Sequence, residues 1–388
     1  MPNIAAIDQV LRDAVASGQV PGVTATAANA DGVIHEAAFG RRSLAGDAAM
    51  TMDTVFRIAS MTKAVTGAAA MQLVEQGKLD LDRPASEILP FLGQAQVLDG
   101  FDAAGEPKLR PAKGVVTLRN LLTHTAGFVY DTWNGDMNKY AAKTGLPAPR
   151  TGDIRALQAP LGFDPGTRWE YGINIDIAGR MVEVASGENL EAYFQNHIFG
   201  PLGMPDTGFV LQARWKDRMA QIHARDGNGG LIPIETAPPV ENPLFYAGGG
   251  GLFSTSRDYL TFLRALMNGG ALNGARILKP ETVASMGQNH MGALNVQKMV
   301  TYNPRMSNDC ELFPGMDKKW GLTFLINTQD VPGGRSAGSL AWAGLNNTYY
   351  WLDPKKQIAG VIMTQILPFA DAAVLGLLDR FERAVYVA

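Results

Sequence analysis

A hydroxyl and an amine stand three residues apart in Phe56-Arg57-Ile58-Ala59-Ser60-Met61-Thr62-Lys63. The run that follows, Ala64 to Glu75, is Ala-rich, with Val65, Leu73 and Met71 or Val74 on overlapping faces. It predicts a helix whose N-terminus falls at or near Ser60. A helix advances about 1.5 Å and 100° per residue, so Lys63 returns to the face of Ser60 one turn further in. First-turn amides have no partner within the helix and the dipole end is positive, which leaves the backbone N–H of Ser60 open to an oxyanion. An amine activates a serine only when it is neutral, and burial in an apolar helix face favours that form. The chemistry open to such a pair is nucleophilic attack on an acyl carbon.

The rest of the chain must position that pair. At 388 residues, 46% hydrophobic and 18% charged, it is long enough to bury a sizeable core in one large domain or two. A net charge of −3 and a pI near 6.0 provide no basic field, so nucleic acid is not an expected partner. No apolar run approaches a membrane span, and Met1 to Asp8 lacks the basic and apolar regions of a secretory leader. A cytoplasmic protein, or a mature chain shorn of its leader, is expected. The single cysteine, Cys310, reads as a packing or surface thiol. Five histidines (His35, His124, His197, His223, His290) show no metal-ligand spacing, and neither metal nor cofactor is called for.

Residues 4–16 carry Ile4, Ile7, Val10, Leu11, Ala14 and Val15 on one stripe, a helix ended by Gly18 and Pro21. Val23 to Ala30 and Val33 to Phe39 read as a hairpin about Asp31-Gly32. Between about residues 84 and 222 strand signals are sparse and short helical ones dominate, as in Val116–Leu122 and Asp176–Ala185. Helices at about 256–268 and 280–286 follow, then strands at Leu322–Asn327, Ser339–Trp342, Thr348–Leu352 and Ile358–Ile366, and a closing helix at about 371–385. The expected architecture is α/β (α+β), an antiparallel sheet flanked by helices. Residues 1–83 with 223–388 would form one domain completed by both termini, and 84–222 an inserted, mostly helical domain.

Ser60-Met61-Thr62-Lys63 with its Ala-rich helix and Glu75-Gln76-Gly77-Lys78-Leu79-Asp80-Leu81-Asp82 resembles the serine β-lactamase and penicillin-binding-protein superfamily. The likeness is greatest to the branch of class C β-lactamases and family VIII carboxylesterases. Leu121-Leu122-Thr123-His124-Thr125-Ala126-Gly127-Phe128 is similar to the family's loop beside its site, and Tyr246–Gly251 with Leu252–Asp258 is also familiar. Phe163-Asp164-Pro165-Gly166 with Trp169-Glu170-Tyr171 is similar to the approach to its catalytic tyrosine. The resemblance implies that Tyr171 shares a proton with Lys63, one acting as base toward Ser60 and the other as stabiliser or relay. The family's Tyr-x-Asn is here Tyr171-Gly172-Ile173-Asn174, with the amide one place late but still a candidate substrate contact. Its Lys-Thr-Gly is missing, and Leu340-Ala341-Trp342-Ala343-Gly344-Leu345 stands in its place, as family VIII esterases resemble it in carrying tryptophan there. An indole removes the anchor for an anionic substrate and adds an apolar wall suited to neutral esters. Trp342, Gly344 and Leu345 are thus expected at the substrate, with the amide of Leu345 joining that of Ser60 as the oxyanion hole. Arg335 is a second candidate for the missing cation. His124 is expected to be a structural hydrogen-bonding group in its loop.

Gly334-Arg335-Ser336-Ala337-Gly338 also spells the nucleophile elbow of α/β-hydrolases, but no histidine follows Ser336 and the next segment is strand-like. The reading is therefore a serine carboxylesterase acting on short- to medium-chain acyl esters, a small-molecule substrate, through an acyl-enzyme on Ser60. A β-lactamase or D,D-peptidase, an acyltransferase to an alcohol acceptor, and a silent binding module on the same fold are its rivals. Oligomeric state is not legible. Replacing Ser60 with alanine should abolish ester turnover, whereas Ser336→Ala should leave most of it; mass spectrometry of a covalently trapped adduct checks which serine is acylated.

Overall fold

Ile7, Leu11 and Ala14 recur at helical spacing and are all buried in α1 (Ile4–Ala16), where that stripe meets the sheet and the closing helix. The computed structural model describes residues 4–387; Met1, Pro2 and Asn3, part of the stretch read for a leader, and Ala388 lie outside it. The chain then forms β1 (Gly22–Ala28) and β2 (Val33–Gly40), turned by Asn29, whose Oδ1 accepts from the amides of Asp31 and Gly32. After the central helix α2 (Thr62–Glu75) come α3 (Asn174–Ser186) and α4 (Ser256–Met267). The strands β3 (Lys318–Trp320), β4 (Leu325–Asn327), β5 (Leu340–Gly344), β6 (Thr348–Asp353) and β7 (Ile358–Met363) follow, and α5 (Ala372–Val387) closes the chain.

These seven strands make one antiparallel sheet in the order β3-β4-β5-β6-β7-β1-β2, so the N-terminal hairpin is its last pair. Alternation along β6 separates the two faces. Tyr350 lies 5.2 Å from Tyr259 of α4, whereas Trp351 lies 5.6 Å from Phe381 of α5. Trp342, opposite Tyr350 in register, therefore shares the α4 face. The fold is the expected β-lactamase-like one.

Two strand readings need amendment. A hairpin of Gln96–Phe101 with Pro107–Pro111 lies within the stretch read as mostly helical, with sparse strand signals. Gly100 and the prolines hide it, because such residues are depleted from strands. The edge strand β3 also escapes sequence reading, since Lys318-Lys319-Trp320 offers no apolar alternation. Its Lys318 is buried beside Glu311.

The Ala-rich central helix is buried more completely than a single apolar face would require. All residues from Thr62 to Leu73 are buried, so α2 runs through the interior with α3 packed along it. Small side chains allow this, and Ala64, Ala68, Ala69 and Ala70 all sit at zero exposure. On the opposite face of the sheet, the Trp351 indole lies across Gly360, where a Cβ would stand 2.1 Å from the ring. Gly360→Ala should therefore lower stability by about 1–3 kcal/mol through overpacking, measured as a shifted urea midpoint. An unshifted midpoint would mean that the indole has room to move.

Candidate active site

Ser60 occupies a 3₁₀ turn, Ala59–Met61, and the α-helix proper starts at Thr62. Ala59 adopts φ 43°, a left-handed conformation that costs a non-glycine residue about 1–2 kcal/mol. The surroundings hold it there. Thr62 Oγ1 donates to Ala59 O at 2.7 Å and accepts from Leu252 N at 3.1 Å, while Tyr259 OH donates to Met61 O at 2.8 Å. The turn leaves Ser60 part-exposed above a fully buried Lys63.

Lys63 Nζ lies 3.0 Å from Ser60 Oγ, 3.1 Å from Tyr130 OH and 2.5 Å from Gly249 O. Three acceptors meet the three donors of an ammonium, with no place left for water. Burial pushes the amine down to about 7 despite the opposing charge of Asp176. The ring of Tyr171 lies 4.8 Å below the same nitrogen.

Burial pushes the phenol of Tyr171 upward, while the Ser60 hydroxyl and Trp342 hold it back. Trp342 Nε1 donates to Tyr171 OH at 3.0 Å. The indole is only 4% exposed and packs edge-on to Trp320 at 4.6 Å. Trp342 was expected to be a wall for the substrate, but its geometry makes it a donor to the phenol.

Asn174 also departs from expectation. Fully buried, it directs Nδ2 to Phe128 O at 2.8 Å and to His124 Nδ1 at 3.1 Å, so this group braces the loop. Its Nδ2 is engaged with those two groups, and no hydrogen bond to Ser60 is seen. His124 accepts at Nδ1 and is pushed down by burial and by the Lys63 charge, which keeps it neutral.

Gly344 ends β5 against the backbone of Ile58, where a Cβ would lie 2.2 Å from the Ile58 carbonyl. Asn346 Nδ2 donates to Arg57 O at 3.3 Å. Leu345 lies between these two contacts, beside the segment that leads to Ser60. Arg335 cannot replace the missing cation, because its guanidinium is buried against Glu382, with Nε donating at 2.8 Å. Ser336 is buried too, in a turn that leads into β5 and not into a helix.

Sequence reading missed Tyr130, Asp176 and the carbonyl of Gly249. Tyr130 lies two residues past the quoted Leu121–Phe128 loop, and Gly249 lies in the noted glycine run, so position was a signal. The partner was not. Beyond Tyr171 a cleft of about 860 Å³ opens between Trp133, Trp169, Leu294, Met299, Val300 and Tyr302. Its size is that of a site for a small organic molecule, and charged Asp136, Arg168, Glu170 and Lys298 line it beside the aromatic side chains.

Comparison with known proteins agrees with this fold. The sequence profile of the Beta-lactamase family matches residues 7–382. The ML-236A carboxylate methylbutanoyltransferase of Penicillium citrinum is 33% identical, the alignment spanning 99% of this chain and 94% of that protein. The lovastatin esterase of Penicillium rubens is 31% identical over 98% of each chain. Unliganded simvastatin synthase from Aspergillus terreus superposes with a TM-score of 0.87, at 32% identity, over 99% of this chain and 98% of the other. The chain belongs to the beta-lactamase family of serine enzymes.

Proposed function

We propose that the protein is a serine acyltransferase that passes an acyl group from an ester or thioester donor to a small alcohol, with hydrolysis as the competing outcome. One observation carries transfer ahead of the simple esterase read from sequence. Several of the matched relatives are acyltransferases, the methylbutanoyltransferase and simvastatin synthase among them over nearly the whole chain. The lovastatin esterase likeness favours hydrolysis as the second reading.

In the first step Ser60 Oγ attacks the acyl carbon while neutral Lys63, 3.0 Å away, takes its proton. The amides of Ser60 and Leu345 receive the charge on the carbonyl oxygen. As the tetrahedral adduct collapses, the leaving group takes a proton relayed through Tyr171, leaving Ser60 acylated. In the second step an alcohol in the adjoining cleft loses its proton through the same groups and attacks the acyl carbon, releasing the new ester and restoring Ser60. Trp342 supports the relay by donating to the phenol oxygen, which stabilises electron density there. A β-lactam carboxylate would find neither a lysine at 342 nor a free Arg335, which disfavours the β-lactamase reading.

Lys63 must be neutral to act, so kcat/KM for a neutral ester should fall about tenfold per pH unit below an inflection near pH 7. A profile flat down to pH 5 would remove Lys63 as the base. Adding a small primary alcohol to a donor ester should divert most of the acyl groups into the new ester, quantified by chromatography of ester against free acid. Equal acid release with and without alcohol would return the assignment to hydrolysis.

A further inference from the structure

Asp176 stands in the first turn of α3, five residues beyond Tyr171, and is buried. Its Oδ1 accepts from Gly249 N at 2.9 Å, and the carbonyl of that same glycine accepts from Lys63 Nζ at 2.5 Å. Its Oδ2 is buried with no hydrogen bond of good geometry, and a Cβ added at Gly249 would lie 2.4 Å from it. The acyl-transfer steps use neither the Asp176 carboxyl nor the Gly249 backbone. Burial pushes the Asp176 carboxyl upward, opposed by the charge of Lys63, the Gly249 N–H and the nearby Tyr130 hydroxyl, so its charged form depends on that cation. His124, Tyr130 and Tyr171 are the other titratable groups around this pair. Burial keeps the imidazole neutral and the phenols protonated, so Lys63 is the cation facing Asp176.

We propose that Asp176 is a positioning residue that holds a proton on Lys63 between turnovers, through its charge and through the Gly249 backbone it anchors. The inference rests on Lys63 acting as the base toward Ser60. A role limited to bracing the fold would require only an acceptor for Gly249 N–H, which asparagine also supplies. A charge-setting role requires the carboxylate.

The test is the pH profile of kcat/KM on a neutral acyl ester for Asp176→Asn and Asp176→Glu, beside the wild type. Without the carboxylate the ammonium loses its partner, so the acidic limb of Asp176→Asn should move down by about one pH unit. Asp176→Glu should return the limb to near the wild-type position. A limb that stays in place or moves up in Asp176→Asn, whatever happens to kcat, overturns the proposal. If Asp176→Asn does not fold, Gly249→Ala replaces it: the added methyl displaces Oδ2 and should also lower the limb, and an unmoved limb again overturns the inference. Ser60→Ala separates the two levels, since turnover surviving in that variant would defeat the underlying reading and not the role of Asp176.

Discussion

A lysine amine held out of water is the constraint on which this site depends. An ammonium in the interior is expensive unless each N–H finds an acceptor, and Lys63 finds three: a serine hydroxyl, a phenol and a backbone carbonyl. Those acceptors come from three separate stretches of chain. Burying one nitrogen therefore fixes the relative placement of the nucleophile turn, the loop through Tyr130 and the glycine run at 248–251. The same dryness lowers the affinity of the amine for its proton, so the packing that orders the site also favours a neutral amine beside Ser60.

Trp342 shows how one side chain can change the chemistry of an inherited strand. A cation beside Tyr171 would both attract anionic substrates and stabilise a phenolate. The indole keeps a directed donor at 3.0 Å but adds no net charge. Burial keeps that phenol protonated against the pull of the indole N–H, while the amine of Lys63 is pushed down to about 7.

The helix register that brings Lys63 back to Ser60 was legible because it follows from spacing alone. The N-terminal hairpin and the strands near 348–352 and 358–366 were legible for the same reason, since periodicity and turn residues are local. What sequence could not show was direction. Whether Trp342 faces a ligand or a phenol depends on a residue 171 positions away, and whether Asn174 contacts the nucleophile or the loop depends on how Phe128 and His124 are placed. Tyr130 and Asp176 stayed hidden for a similar reason: a tyrosine and an aspartate are unremarkable until the fold brings them to a common nitrogen.

The sheet places β1 beside β7, and Gln365 Nε2 donates to the carbonyl of Arg57, 308 residues away in the chain, at 3.1 Å. The turn that carries Ser60 thus leans on a residue made 308 positions after Arg57. During synthesis the N-terminal hairpin must wait without its neighbour, with one edge unpaired, until the C-terminal strands emerge. Contacts this distant close large loops and slow folding, and the waiting edge is open to wrong partners. Ser60 is therefore made long before the residues that complete its surroundings.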